Sequence, residues 1–298
     1  MTTSNQMVQQ KMPFSVAVNT PSMQKLIANA LHDPARCARF TASIVIAVSV
    51  NQALQNCDRN TVISGALLGE SLNLSPSPQL GQYYLVPFNN KKKGIQDAQF
   101  VLGYKGYVQL ALRSGQYKSI NVEIVKQGEY KGRDPMTGDP RFQFLEDDDE
   151  RERLPVIGYM ASFEYLNGFR KVLYWSKEKM MNHADRYSAA FSRKAYENLI
   201  AGNIPQGEMW KYSSFWYKDF DSMAKKTMLR QLISKWGIMS TDMQSAYESD
   251  SRVIEETESG QLVPQVEEEP PQQIEEPQAA EQIPAQPTEP KQIDLSSL

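Results

Sequence analysis

Cysteine and histidine are scarce in this 298-residue chain, two of each, and Cys37 and Cys57 form no CxxC pair and have no histidine at ligand spacing. A zinc site or a disulfide framework is therefore not expected. His32 and His183 belong to no motif and read as surface or helix-packing groups. No GxxxxGK[ST] phosphate loop, no GxGxxG after a strand, no HExxH and no GxSxG occurs, so the usual equipment for ATP hydrolysis or nucleophilic hydrolysis is missing. Nowhere do eighteen apolar residues run together, and the opening MTTSNQMVQQKMPF has no apolar core flanked by basic residues. The expectation is a cytoplasmic protein with no membrane partner.

What is present is a globular body with a lopsided charge. Hydrophobic residues make up 41% of the chain, enough for a sizeable core, and the formal net charge is −3. From Thr241 to the end there are fourteen Asp and Glu against only Arg252 and Lys291, a net of −12, which leaves +9 for residues 1–240. A basic body points to a polyanionic partner.

Residues 1–20 are polar and read as a flexible N-terminus. Asp33 before Pro34 reads as a helix N-cap with proline at the first helical position, opening a helix through Phe40 to Leu54. A second helix is expected from Asn60 to Leu72. QYYLVPF (82–88) and DAQFVLG (97–103) read as strands flanking NNKKKG, which places Lys91, Lys92 and Lys93 at a hairpin tip. Tyr104 to Arg113 reads as a short helix ended by Gly115, and SINVEIV (119–125) as a strand. VIGYMASFEYL and FRKVLYW flank Asn167-Gly168, a hairpin signal. The middle third is thus expected to be one antiparallel sheet with a helix inserted. From Ser176 the pattern is helical again, broken at Gly202 and Pro205, with a long helix from Phe215 to Trp236. Its spacing puts Phe220, Ala224, Met228, Leu232 and Trp236 on one side and turns Lys226 and Arg230 to solvent. After residue 250 the composition changes to Glu, Gln and Pro, which cannot bury enough apolar area to offset chain entropy, and disorder is expected.

Cations interleave with aromatics at Lys91 to Lys93, Tyr104, Lys105, Tyr107, Arg113, Tyr117 and Lys118. Lysine and arginine neutralise phosphates and flat rings stack on bases irrespective of sequence, a combination suited to single-stranded nucleic acid. Tyr104 and Tyr107 at helical spacing suit a core equally well. On the long helix Asp221 and Lys225 fall four apart inside the apolar arc and should pair with each other. The run Glu146, Asp147, Asp148, Asp149, Glu150, Glu152 could be imagined as a nuclease metal site, but it interleaves with Arg151 and Arg153 and reads as a solvated loop.

The blocks FVLGYKGYVQLALRSGQYKSINVEIVKQGE and KYSSFWYKDFDSMAKKTMLRQLISKWGIMS, with YYLVPFNNKKKG before them, strongly resemble the RecT branch of phage recombinases, the RecT/Redβ single-strand annealing proteins, over residues 20–240. That resemblance implies an α+β fold of N-terminal helices, a short antiparallel sheet with hairpins and a long C-terminal helix, distantly similar to the Rad52 annealing core, followed by a disordered acidic tail. It divides the chain into a flexible 1–20, a DNA-binding and annealing domain at 21–245 and a tail at 246–298.

The function implied is ATP-independent pairing of complementary single strands in phage or prophage recombination inside a bacterial cell, by a non-enzyme that requires no cofactor and whose binding magnesium can modulate. The partners implied are single-stranded DNA, the annealed duplex, further copies of the chain in a ring or helical filament, an exonuclease and the host single-strand-binding protein. Carried over by position, Lys105, Arg113, Lys225, Lys226 and Arg230 are the foremost DNA-contact candidates. Lys91, Lys92, Lys93, Lys118 and Lys211 follow, with Tyr104, Tyr107 and Trp210 as stacking or wedge candidates. The competing readings are a passive single-strand-binding scaffold and a metal-dependent nuclease.

Overall fold

The computed structural model describes residues 12–257 and 260–265. Helices α1 (Phe14–Ala17), α2 (Pro21–Leu31), α3 (Pro34–Val50) and α4 (Arg59–Ser71) open the chain. Capping starts two of them as their sequence requires. Asp33 accepts from the Ala35 amide and Asp58 from the Asn60 amide, each at 2.8 Å. Phe14 and Val18 are buried, so residues 12–20 are anchored in the core by apolar contacts rather than flexible; the rest of the predicted mobile N-terminus lies outside the described residues. Helix α4 is the central one, with every residue from Thr61 to Gly69 buried. Its glycines allow this: a Cβ on Gly69 would come within 2.3 Å of the Tyr83 ring, and one on Gly65 within 2.9 Å of Leu85.

Strands β1 (Tyr83–Asn90) and β2 (Ile95–Leu102) pair antiparallel, Tyr83 opposite Leu102 and Asn90 opposite Ile95, with Lys91 to Gly94 as the tip. Tyr83 and Leu85 face α4, while Tyr84 and Val86 on the alternate face stay half-buried. Helix α5 (Tyr104–Arg113) follows directly. Strand β3 (Tyr117–Lys126), the hairpin β4 (Tyr130–Arg133) and β5 (Pro140–Phe142), helix α6 (Asp148–Arg153) and the hairpin β6 (Val156–Tyr165) and β7 (Arg170–Ser176) come next. Gly168 takes φ +84° in the Asn-Gly turn, as the hairpin signal requires.

The strands do not form the single sheet expected. One sheet runs β3-β6-β7, the β4–β5 pair stands apart, and β1-β2 continues into strands from the C-terminal region. The acidic run is a short surface helix rather than a loop, because the Asp147 side chain accepts from the Glu150 amide and caps α6. Helices α7 (Lys177–Tyr187) and α8 (Arg193–Ile200), a 3-10 turn at Gln206–Tyr212, α9 (Phe215–Lys218) and α10 (Phe220–Trp236) follow. The long helix read from 215 is split. Asp219, with φ −149° and ψ 75°, leaves the helical region and its carboxylate accepts from the Ser222 amide, restarting the helix. Helix α10 packs on all three strands of the β3-β6-β7 sheet and against α5.

The tail begins later than its composition predicts. Helix α11 (Thr241–Ser249) is followed by β8 (Arg252–Glu256), antiparallel to β2, and by β9 (Leu262–Pro264) on β8. Val253 and Ile254 are buried, so this segment closes the core despite its polar neighbours. The Gln- and Pro-rich residues 266–298 lie outside the described residues.

Candidate nucleic-acid interface

The start of α5 rests on the turn before β1 because two glycines permit it. A Cβ on Gly103 would lie 2.1 Å from the Gly81 carbonyl oxygen, and one on Gly106 2.2 Å from that of Gln82. This approach sets Tyr104 and Lys105 beside Tyr84. A Cβ on Gly81, itself at φ +62°, would sit 3.1 Å from the Tyr84 hydroxyl and 3.5 Å from Lys105 Cδ. The Lys225 ammonium, from the second turn of α10, lies 4.9 Å from the Tyr104 ring centroid. Phe215 of α9 tilts against Tyr84 with centroids 5.2 Å apart and is 40% exposed. Burial, then the nearby Tyr104 and Asp219, raises the Tyr84 hydroxyl above its ordinary pKa. Three accessible rings and two ammonium groups thus share one patch, with Asp219 at its border.

The predicted cations do not all reach it. Lys105 and Lys225 do. Lys225 and Asp221 do not pair with each other: Asp221 accepts from the Tyr159 hydroxyl at 2.6 Å, because α10 packs on β6 at that point, and Lys225 turns to Tyr104. Arg113 donates to the carbonyls of Leu72 and Asn73, both at 2.7 Å, closing the C-terminus of α4. Lys118 pairs with Glu164 at 2.6 Å and Lys211 with Glu208 at 3.0 Å. Lys211 also lies 5.8 Å from the centroid of Trp210, which is 72% exposed. The hairpin tip with Lys91 to Lys93 stands about 20 Å along β1 from Tyr84, at roughly 3.3 Å per residue.

Lys226 is buried and Arg230 keeps only 26% of its side chain exposed, so neither is the free surface cation expected. They close on Asp250, which is fully buried as a side chain, with Lys226 Nζ at 2.8 Å from one oxygen and Arg230 Nη1 at 2.6 Å from the other. Asp250 also accepts from the Leu102 amide at 2.9 Å and the Tyr107 hydroxyl at 3.2 Å. Tyr107 is therefore a core residue with no exposed surface and no stacking face. The physical reason is the extra C-terminal segment, which covers this side of α10 and supplies the counter-charge. Burial alone would raise the Asp250 carboxyl; Lys226 and Arg230 outweigh it and hold the carboxyl below its usual range. Burial lowers the Lys226 ammonium, offset in part by Asp250. Arg230 additionally lies over Tyr247 at 4.4 Å.

Tyr84 and Phe215 escaped the sequence reading. The alternation in QYYLVPF places Tyr84 opposite its buried neighbour Tyr83 and could have flagged it. Phe215, in a run of aromatics, gives no such sign. Asp250 is one carboxylate among many in an acidic stretch, and nothing in its neighbours marks it as buried. Among the described residues no group of three or more His, Cys, Asp or Glu is placed to hold a metal ion, and no helix is long and apolar enough to cross a membrane. The patch offers phosphate neutralisation and ring stacking.

Comparison with known proteins gives the chain its relatives. The chain is 38% identical over 246 residues to "Uncharacterized protein YqaK" of Bacillus subtilis (strain 168), covering 83% of this chain and 72% of that protein. It is 28% identical over 243 residues to "Protein RecT" of Escherichia coli (strain K12), covering 79% of each. The RecT family model matches residues 38–267, a span that takes in the patch, the Asp250 cluster and both C-terminal strands. The chain belongs to the RecT family.

Proposed function

We propose that the chain is an ATP-independent single-strand annealing protein of phage or prophage recombination, which holds single-stranded DNA on the Tyr84, Tyr104, Lys105, Phe215 and Lys225 patch. The observation that carries this reading is the meeting of three accessible rings with two ammonium groups on one surface, within a chain of the RecT family. Base–aromatic stacking contributes about 1–3 kcal/mol per base and tolerates any sequence. Joining complementary strands is downhill, at about 1.4 kcal/mol per base-pair step, so no nucleotide fuel is required. The obstacle is kinetic, since two phosphate backbones repel and free strands fold on themselves. Lysines lower the repulsion, and rings keep bases apart and available.

The distant likeness to the Rad52 core, assembly into a ring or filament, and recruitment of an exonuclease and the host single-strand-binding protein belong to the same proposal. The protein acts as a non-enzyme in the bacterial cytoplasm. Magnesium in this reading acts on the phosphates. Trp210, the most exposed tryptophan-bearing surface beside a lysine, is a second stacking site for the strand as it leaves the patch.

Mixing the protein with two complementary labelled oligonucleotides, without ATP, tests the proposal. Faster duplex formation than in its absence is expected. Coating of both strands without acceleration would leave a passive binding protein, and magnesium-dependent shortening of the strands would indicate a nuclease.

A further inference from the structure

The β4–β5 hairpin and β7 build an aromatic face that the patch does not use. Tyr130 and Tyr174 stack at 4.5 Å, Phe142 meets Tyr174 edge-on at 5.7 Å, and Phe144, 38% exposed, stacks on Phe142 at 5.9 Å. Tyr130, Phe142 and Tyr174 remain partly exposed. The chain leaving Phe144 carries the exposed carboxylates of Glu146, Asp148, Asp149 and Glu150 directly after it. Arg151 already places a cation on this face: its guanidinium lies 5.3 Å from the Phe144 ring centroid while pairing with the buried Glu129 at 2.6 Å, and of the run it feels Asp148. Partly exposed rings that already take one cation at Phe144, next to the exposed carboxylates of Glu146, Asp149 and Glu150, form a surface for a further cation-bearing segment.

The same chain carries one elsewhere. At the end of the β1–β2 hairpin Lys91, Lys92 and Lys93 are exposed and Ile95 beside them is 43% exposed. Lys93 meets Glu255 at 2.7 Å, while Lys91 and Lys92 have no partner among the described residues. Within one subunit no hydrogen bond or ion pair among the described residues joins this tip to the aromatic face. We propose that the Lys91–Lys93 tip of one subunit docks on the Tyr130, Phe142, Phe144 and Tyr174 face of the next, the carboxylates of Glu146, Asp149 and Glu150 holding its ammonium groups.

Two different surfaces meeting head to tail propagate into an open chain rather than closing a dimer. Exposed ion pairs contribute little each, and the contact sets orientation more than affinity. That suffices where DNA already holds neighbours together at high effective concentration, and in this one respect the inference rests on the proposed function.

Reciprocal charge reversal tests it. One variant carries Lys91→Glu, Lys92→Glu and Lys93→Glu; the other carries Glu146→Lys, Asp149→Lys and Glu150→Lys, sparing the cap Asp147. Each alone opposes like charges at every junction, and sedimentation on long poly(dT) should show the assembly mass fall about tenfold. An equimolar mixture pairs acidic tips with basic faces and basic tips with acidic faces, and should restore long assemblies. Either variant assembling like the wild type, or a mixture that fails to recover, overturns the proposal. The single reversals Lys92→Glu and Asp149→Lys, both at exposed positions, repeat the test if a triple variant does not fold. If the tip instead grips DNA, its reversal would weaken binding to a dT oligomer of about 8 nucleotides, a result that also overturns the docking. Sedimentation of concentrated, DNA-free protein runs alongside, so that failure to bind DNA at all is read separately.

Discussion

Asp250 makes the sharpest claim of any single residue. It neutralises two cations and takes three further donors, the Leu102 amide and the Tyr107 and Ser251 hydroxyls, with no exposed side-chain surface, and a buried charge stripped of its partner costs about 3–5 kcal/mol. Asp250→Asn is therefore expected to destabilise the fold by an amount in that range, measured by urea unfolding. Lys226→Met should cost less, since Arg230 still compensates the carboxylate. Equal and small effects in both would mean that the cluster is solvated. On the patch the expectation is opposite: Phe215→Ala should leave stability almost unchanged, because the ring is 40% exposed, and weaken binding to dT oligomers by the loss of one stacked base, about 1–3 kcal/mol.

At the scale of elements, most of the local signals in the sequence hold, because each rests on a short-range cause. The Asp33 cap, the Asn-Gly turn and the short helix from Tyr104 to Arg113 sit where the residues place them. What the sequence leaves illegible is decided at long range. The break at Asp219 depends on a cap inside an otherwise unbroken helical pattern, and the solvent-facing assignment of Lys226 and Arg230 fails because a segment twenty residues later covers them. Three of the five patch residues, Lys105, Lys225 and Tyr104, were readable as cations and rings. Tyr84 joins it through the close backbone approach at Gly103 and Gly106, and Phe215 through its ring contact with Tyr84. The C-terminal strands give a direct test. A chain ending at Gln265 should melt like the full-length protein, whereas one ending at Ser249 loses β8, β9 and Asp250 and should lose its cooperative transition in a thermal melt.

For the molecule as a whole, two buried carboxylates tie stability to acid. Lys226 and Arg230 overcome the burial that would raise Asp250, and Arg151 with the amides of Lys126 and Leu145 does the same for Glu129. Both carboxyls are held below their ordinary values of 3.8 and 4.5. A depressed folded-state pKa contributes stability that is complete above the unfolded value and is lost as the pH falls through the folded one. Unfolding free energy should accordingly be flat above about pH 5 and fall steeply below pH 4, and Asp250→Asn should flatten that fall.

The central claim is that Lys105 and Lys225 meet the phosphates of an unpaired strand on the Tyr84 and Tyr104 surface. Each phosphate neutralised on single-stranded DNA contributes about 0.7 to the slope of log affinity against log salt. The most direct measurement is therefore the salt dependence of binding to a dT oligomer for the wild type and for Lys105→Ala/Lys225→Ala. The slope should fall by about 1.4 with the melting temperature unmoved. An unchanged slope and affinity in a folded double variant would contradict the account.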